Sequence, residues 1–248
     1  MTGRRFFGVR TEALPAAFAA LLVLGAGELP AEETPAASSK CDTDAMIVFD
    51  ASGSMTGMGF GETSVRRIEQ VRRALATVLP EVAPMRNIGL VVFGPGRRRQ
   101  CENIDLRLPP VPNAANRIMS EVDALQPYGQ TPLTDAVGAA ADALDFRDKP
   151  AVIVLLTDGD ETCQGDPCAL ANRLKAEGHD VTVHVIGYML EQGLMPSGGQ
   201  FARCLSEGTG GMFVSTHNTE ELIAALQKTL SCPFLSSLPA TPITMAGK

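Results

Sequence analysis

The chain has 248 residues, of which 45% are hydrophobic and 20% charged, and its formal net charge is −7. This length and composition fit one globular domain with a substantial core and terminal extensions. The acidic balance argues against a nucleic-acid-binding protein, which would need a basic surface, so we expect no nucleic-acid partner.

The first 31 residues have the pattern of a secretory signal peptide. Arg4, Arg5 and Arg10 form a positively charged start, and the apolar stretch 13–27 is too short to span a membrane comfortably. Small residues follow, and cleavage after Ala31 or in the Gly25–Gly27 region would fit them; an uncleaved membrane anchor is the alternative. No later apolar run approaches membrane length, so we expect a periplasmic or secreted protein without a stable membrane span after cleavage.

The remaining chain divides into three parts by composition. Residues 32–40 are polar and rich in Pro, Ala and Ser, which predicts a flexible linker, and residues 41–232 carry the patterned sequence of a folded domain. Residues 233–248 are rich in Pro, Ser and Thr and are expected to form a flexible C-terminal tail. All six cysteines lie after residue 40, which fits disulfide bonds in an oxidising compartment.

The first predicted strand is an unbroken apolar run, Ala45–Phe49, that ends at Asp50. Such a run is typical of a strand buried on both faces of a sheet. Ser52 and Ser54 follow at alternating positions, and Gly53 between them permits a tight turn. One carboxylate and two hydroxyls offer only oxygen ligands, which favours Mg²⁺ over Zn²⁺ or Cu²⁺. Turn and helix capping is the alternative role for these hydroxyls.

Strands and helices alternate through the rest of the domain. The patterns predict strands over 88–93, 104–108, 151–156, 181–186 and 211–214, and helices over 64–79, 113–125, 131–146, 169–177, 200–207 and 220–230. The first helix is expected to stop before Pro80 and to carry its arginines on the outer side. Prolines 109, 110 and 112 confine the strand over 104–108 to a sheet edge. Strands alternating with helices predict a parallel sheet covered on both faces, with ligands beyond the carboxyl ends of the strands.

Two later stretches of the sequence also carry side chains that could bind a metal through oxygen, as the stretch after the first strand does. Thr131 lies just before a helical pattern, and Asp158 closes a second fully apolar strand. In this order and context the set resembles the metal-ion-dependent adhesion site of von Willebrand factor A (vWA) domains: Asp50, Ser52, Ser54, Thr131 and Asp158. The resemblance runs from Cys41 to Cys232, and the segment 163–168 is similar to a bacterial, exported subgroup.

The resemblance implies both a fold and a metal site. The fold would be a three-layer, doubly wound α/β domain whose six-stranded, mostly parallel sheet has the order 3-2-1-4-5-6, with strand 3 antiparallel. Ser52, Ser54 and Thr131 would contact Mg²⁺, while Asp50 and Asp158 would act directly or through water; Mn²⁺ or Ca²⁺ could replace Mg²⁺. An open metal position would take an Asp or Glu carboxylate from a protein partner.

Charged residues near the candidate ligands, and the six cysteines, carry further expectations. Asp160 and Glu161 are expected to be solvated loop carboxylates, and Arg97–Arg99 to form a solvated loop or, alternatively, a patch that meets an acidic partner. By resemblance, Cys41 and Cys232 would lie at the end of the sheet opposite the metal and form a disulfide. The other four cysteines would lie toward the metal, where three pairings are possible; we favour Cys163–Cys168.

The function that these features predict is that of an exported module which binds a protein partner through a Mg²⁺-bridged carboxylate, without enzymatic activity. A structural domain with an idle metal site is one alternative. A metal-dependent hydrolase is a weaker alternative. The haloacid-dehalogenase pattern Asp-x-Asp-x-Thr has a second acid where this chain has Ser52, and Ser52 does not lie in the Gly-x-Ser-x-Gly motif of serine hydrolases. The three histidines are scattered, and no His/Cys group has zinc spacing.

Overall fold

The computed structural model describes residues 41–59, 65–96, 100–190 and 200–232. The expected signal peptide, linker and C-terminal tail lie outside these residues, as does Arg97–Arg99. The strands are β1 (Asp44–Asp50), β2 (Ile88–Phe93), β3 (Ile104–Val111), β4 (Pro150–Thr157), β5 (Asp180–Tyr188) and β6 (Phe213–Thr216). The helices are α1 (Arg67–Val82), α2 (Ala115–Ala124), α3 (Leu133–Ala143), α4 (Pro167–Glu177), α5 (Gln200–Thr209) and α6 (Thr219–Leu230).

The six strands form one sheet in the order β3-β2-β1-β4-β5-β6. All neighbouring pairs are parallel except β2 and β3, which are antiparallel, so the predicted fold is confirmed. In the pairing of β1 with β4, Phe49 lies opposite Leu156. The chain therefore leaves both strands at the same edge of the sheet, with Asp50 and Thr157 next along each strand.

The sheet lies between two hydrophobic layers because successive side chains of a strand point to opposite faces. Ala45, Ile47 and Phe49 of β1 pack on the side of α1, α2 and α6. Met46 and Val48 pack on the other side, with α3, α4 and α5. Every residue of β1 from Ala45 onward is buried, which explains its unbroken apolar run. The strand that carries Asp50 is thus held rigidly in the centre of the domain.

Prolines do not end two of the elements where the sequence predicts that they should. Helix α1 does not stop before Pro80 but continues through it to Val82. The proline removes a hydrogen bond to the carbonyl of Ala76, and both residues are exposed, so water can satisfy that carbonyl. Strand β3 also runs beyond the predicted end, through Pro109 to Val111. It tolerates the prolines because it is an edge strand with register shifts against β2.

The cysteines form three disulfides. Cys41 pairs with Cys232 as expected, closing nearly the whole domain in one loop. The favoured Cys163–Cys168 pair is wrong, because Cys163 pairs with Cys101 and Cys168 pairs with Cys204.

Helix α4 explains the difference. Its N-cap Asp166 accepts a hydrogen bond from the backbone N–H of Ala169, at 2.9 Å, and Pro167 occupies its first turn. The helix therefore begins between Cys163 and Cys168. Cys168 lies on α4, which packs along α5 and its Cys204, whereas Cys163 remains in the loop.

Helix α6 begins directly after the N-cap residue Asn218. The Asn218 side chain accepts a hydrogen bond from the backbone N–H of Glu221, at 2.9 Å, as an N-cap should. Among the helices that the structure describes, none has the length and apolar character needed to span a membrane.

Candidate metal site

Asp50 is held by two hydrogen bonds at the carboxyl end of β1. One carboxylate oxygen, Oδ1, accepts the backbone N–H of Ser52 at 2.7 Å. The other, Oδ2, accepts the hydroxyl of Thr157 at 2.6 Å. Thr157 also accepts the backbone N–H of Gly159 at 3.1 Å. Because both oxygens of this fully buried carboxylate are engaged, its orientation is fixed by β1 and β4 together.

Three oxygen-bearing side chains form a continuous chain beside Asp50. The Ser54 hydroxyl donates to Asp158 Oδ1 at 2.6 Å, and the Ser52 and Ser54 hydroxyl oxygens are 2.9 Å apart. Since the Ser54 proton is directed at Asp158, the proton between the two serines comes from Ser52. The lone pairs of these hydroxyls can then serve as cation ligands.

A short 3₁₀ turn, Gly53–Thr56, holds Ser54 in this position. The backbone N–H of Gly57 donates to the Ser54 carbonyl at 2.8 Å, and the buried Met55 anchors the turn in the core. A Cβ on Gly53 would lie 3.0 Å from the carbonyl oxygen of Tyr128. The glycine is therefore needed for the close approach of the loop that carries Thr131.

Thr131 lies on that adjoining loop. Gly129 pairs with Ser52 in an isolated parallel bridge, and its carbonyl accepts the backbone N–H of Gly53 at 3.0 Å. The backbone N–H of Thr131 donates to the Thr162 hydroxyl at 2.8 Å. The structure thus brings Asp50, Ser52, Ser54 and Asp158 into one hydrogen-bonded group. It places the buried Thr131 between the turn after β1 and the loop after β4.

Arg67, at the start of α1, is a site residue that the sequence prediction missed. Its guanidinium Nη1 donates to Asp158 Oδ2 at 2.8 Å, and the two side chains are 9% and 0% exposed. The expectation that the arginines of this helix all face outward is therefore wrong for Arg67. The signal was its spacing, because Arg67 precedes Val71 and Ala74 by four and seven residues and so shares their buried face.

The second missed residue, Thr157, holds Asp50 as described above. Glu161 is not the solvated loop carboxylate that the sequence predicts. Its carboxylate accepts the backbone N–H of Thr134 at 2.9 Å and that of Cys163 at 2.7 Å. Together with the Cys101–Cys163 disulfide, these contacts join the loop after Asp158 to the start of α3 and to the β2–β3 connection.

The site concentrates negative charge in the interior. Burial raises the pKa of Asp50 from 3.8 to about 7, and repulsion from the Asp158 carboxylate adds to this shift. Burial also raises the pKa of Asp158, against the lowering effect of the hydrogen bonds from Ser54 and Arg67. A buried pair of carboxylates with one arginine has a net charge of −1 when both acids are ionised. A divalent cation would compensate this charge, so the residues fit an oxygen-ligated metal.

Other metal sites find no support in the part of the chain that the structure describes, because no three His, Cys, Asp or Glu side chains there could hold an ion together. The histidine of β5, His184, has a structural role in the sheet. Its Nδ1 accepts the backbone N–H of Met212 at 3.1 Å, and burial lowers its pKa from 6.5 to about 4. The candidate site depends on two carboxylates and on hydroxyls instead.

Residues 45–161 match a family model described as von Willebrand factor type A domain. The chain is 27% identical over 202 residues to the uncharacterized protein YwmD of Bacillus subtilis, covering 78% of this chain and 87% of YwmD. It is 30% identical over 142 residues to the human inter-alpha-trypsin inhibitor heavy chain H4, covering 52% of this chain but 14% of that relative.

Among solved structures, the PilB minor pilin from Streptococcus sanguinis has a TM-score of 0.58 at 19% identity. The match covers 79% of this chain and 64% of the pilin, and at this identity it shows the fold alone. The family match over residues 45–161 and the strand order agree with each other. Over residues 45–161 the chain therefore matches the von Willebrand factor type A family, and its sheet has a vWA-like strand order.

Proposed function

We propose that this protein is an exported vWA module that binds a protein partner through a divalent cation, Mg²⁺ in the first place. The residues that would hold the cation are Asp50, Ser52, Ser54, Thr131 and Asp158. When bound, the cation would offer an electrophilic position to an Asp or Glu carboxylate of the partner. The observation that carries the proposal is the buried group of carboxylates and hydroxyls at the shared edge of β1 and β4.

The proposed roles differ between the residues. Ser52 and Ser54 would present hydroxyl oxygens, oriented by the hydrogen bond from Ser54 to Asp158. Asp50, whose oxygens accept from Ser52 and Thr157, would neutralise the cation from a fixed position and reach it directly or through water. Thr131 would add its hydroxyl from the adjoining loop.

The comparisons support a role in protein interaction. The relatives and fold neighbours include an inter-alpha-trypsin inhibitor heavy chain and a minor pilin. Three disulfides and the similarity to a pilin also suggest a protein outside the cytoplasm. We infer that residues 1–31 are a signal peptide and that the mature protein is periplasmic or secreted.

A structural domain with an idle metal site is the competing proposal. A hydrolase is disfavoured because Asp50, the candidate nucleophile, has both carboxylate oxygens engaged by Ser52 and Thr157. In addition, within the described ranges the hydrogen bonds of Ser52 and Ser54 involve no histidine that could act as a base.

Calorimetric titration of Mg²⁺, Mn²⁺ and Ca²⁺ into chelator-treated protein would test the proposal. We expect one saturable site that Ser54→Ala weakens at least about tenfold, because it loses an oxygen ligand. Thr56→Ala is the matched control: its hydroxyl lies in the same turn but donates to the Gly53 carbonyl, at 2.7 Å, and not to the acidic group. Absence of both binding heat and a metal-dependent thermal shift would favour the idle site.

A further inference from the structure

The proposed binding of the metal by its ligands gives no role to the ion pair between Arg67 and Asp158. Arg67 is 7% exposed, and its charge reaches the same carboxylate that accepts the Ser54 hydroxyl. The Arg67 backbone N–H also donates to the Gly57 carbonyl, at 2.8 Å, which ties the start of α1 to the end of the 3₁₀ turn. The arginine is therefore built into the site through both its side chain and its main chain.

The local sequence leaves space for this guanidinium. A Cβ on Gly57 would lie 3.3 Å from Arg67 Nε and 3.4 Å from Cζ, so the guanidinium packs directly against the backbone of Gly57. Arg67 Nε is buried and has no hydrogen-bond acceptor among the described residues. A buried ion pair with an unsatisfied nitrogen contributes little to stability compared with apolar packing. Stability alone is thus a poor reason for placing an arginine here.

The charge of the site gives a better reason. With Asp50 and Asp158 ionised, the arginine changes the net charge of the buried group from −2 to −1. When a divalent cation is bound, the net charge of the group is therefore +1. Without the arginine, the net charge of the cation-bound group would be zero. In a buried position, this residual positive charge weakens binding of the cation alone and strengthens binding of an anion to the loaded site.

We propose that Arg67 is a specificity-determining residue that makes cation binding depend on an anionic ligand. This inference rests on the proposed function of the site. Arg67 lowers the affinity for the cation in the absence of a carboxylate and raises the affinity of the loaded site for one. Because coupling between two ligands is reciprocal, the carboxylate raises the affinity for the cation by the same factor. The module thus holds its cation firmly only when an acidic partner is present.

The test is calorimetric titration of Mg²⁺ into the full-length protein, with and without saturating sodium acetate at constant ionic strength. For the natural protein we expect a Kd on the order of millimolar without acetate, as in sites of low ligand charge, and tighter binding with it. Arg67→Gln should bind Mg²⁺ roughly tenfold more tightly without acetate, and its coupling to acetate should shrink by a similar factor. Arg67→Lys, which keeps the charge, should stay close to the natural protein.

Arg66→Gln is the matched control, because it removes one positive charge from the exposed residue immediately before Arg67. It should leave both affinities unchanged. Unchanged or weaker Mg²⁺ binding in folded Arg67→Gln protein would overturn the inference.

If Arg67→Gln does not fold, the natural protein still decides: micromolar or tighter Mg²⁺ binding without any carboxylate would contradict the proposal. Failure of the underlying function looks different, because the natural protein would then bind no cation under either condition.

Discussion

The hydroxyl of Thr157 is expected to make a measurable contribution to stability, although the residue is no candidate metal ligand. Thr157 is 1% exposed and donates to the buried Asp50 carboxylate at 2.6 Å. Thr157→Val keeps the shape of the side chain but leaves one carboxylate oxygen and the backbone N–H of Gly159 without this partner. A hydrogen bond to a charged group contributes about 1.5–3 kcal/mol, so the free energy of unfolding should fall by about that amount. For a domain of this size the melting temperature should fall by roughly 3–12 °C.

Urea denaturation of chelator-treated protein at pH 8 measures this difference, because Asp50, with a pKa of about 7, is then largely ionised. Thr229→Val is the matched control: its buried hydroxyl donates to the neutral Ala225 carbonyl at 2.8 Å, within α6. We expect that control to lose at most about 1 kcal/mol. If Thr157→Val loses no more stability than Thr229→Val does, the Thr157 hydroxyl does not stabilise an ionised Asp50.

Two further predictions concern pH and the disulfides. Because the pKa of His184 is lowered in the folded protein, the unfolded chain binds more protons than the folded protein between pH 6.5 and 4. The stability that neutral His184 contributes is therefore complete above pH 6.5 and is lost as the pH falls toward 4. For this partly exposed ring we expect a loss of about 1–2 kcal/mol, which His184→Asn should remove from the pH profile of thermal unfolding. Replacing both Cys101 and Cys163 by serine should lower the free energy of unfolding by about 2–4 kcal/mol, and replacing both Cys168 and Cys204 should have a similar effect. Only the first double variant should also weaken cation binding, because the Cys101–Cys163 disulfide holds the loop after β4. Equal metal affinity in the two double variants would contradict this assignment.

The fold was predictable because its central strands carry an unusually simple pattern. β1 and β4 are apolar along nearly their whole length, as strands buried between two helical layers must be. β1 ends in Asp50 and β4 is followed by Asp158, and parallel neighbours place such residues at one edge of the sheet. The helix boundaries were less predictable, since α1 passes through Pro80 where only the exposure of the affected carbonyl decides the outcome.

The missed residues act through contacts between distant parts of the chain. Arg67 and Asp158 are separated by 91 residues, and Thr157 and Asp50 by 107. Even so, both left a local signal: a polar residue stood where the period of the element requires burial, and a buried polar group needs a partner. The register of β1 with β4 brings Thr157 beside Asp50.

The sequence contains no comparable signal for the two disulfides at the end of the sheet that carries the candidate metal site. Pairing requires Cα atoms within about 7 Å, and that distance depends on how loops and helices pack. Cys168 and Cys204 meet, with Cα atoms 4.9 Å apart, only because α4 lies along α5. Periodicity predicts which face of an element is buried but not which element covers it. An ionisable residue on a buried face therefore predicts an opposite charge nearby. A cysteine on a buried face does not predict which other cysteine it pairs with.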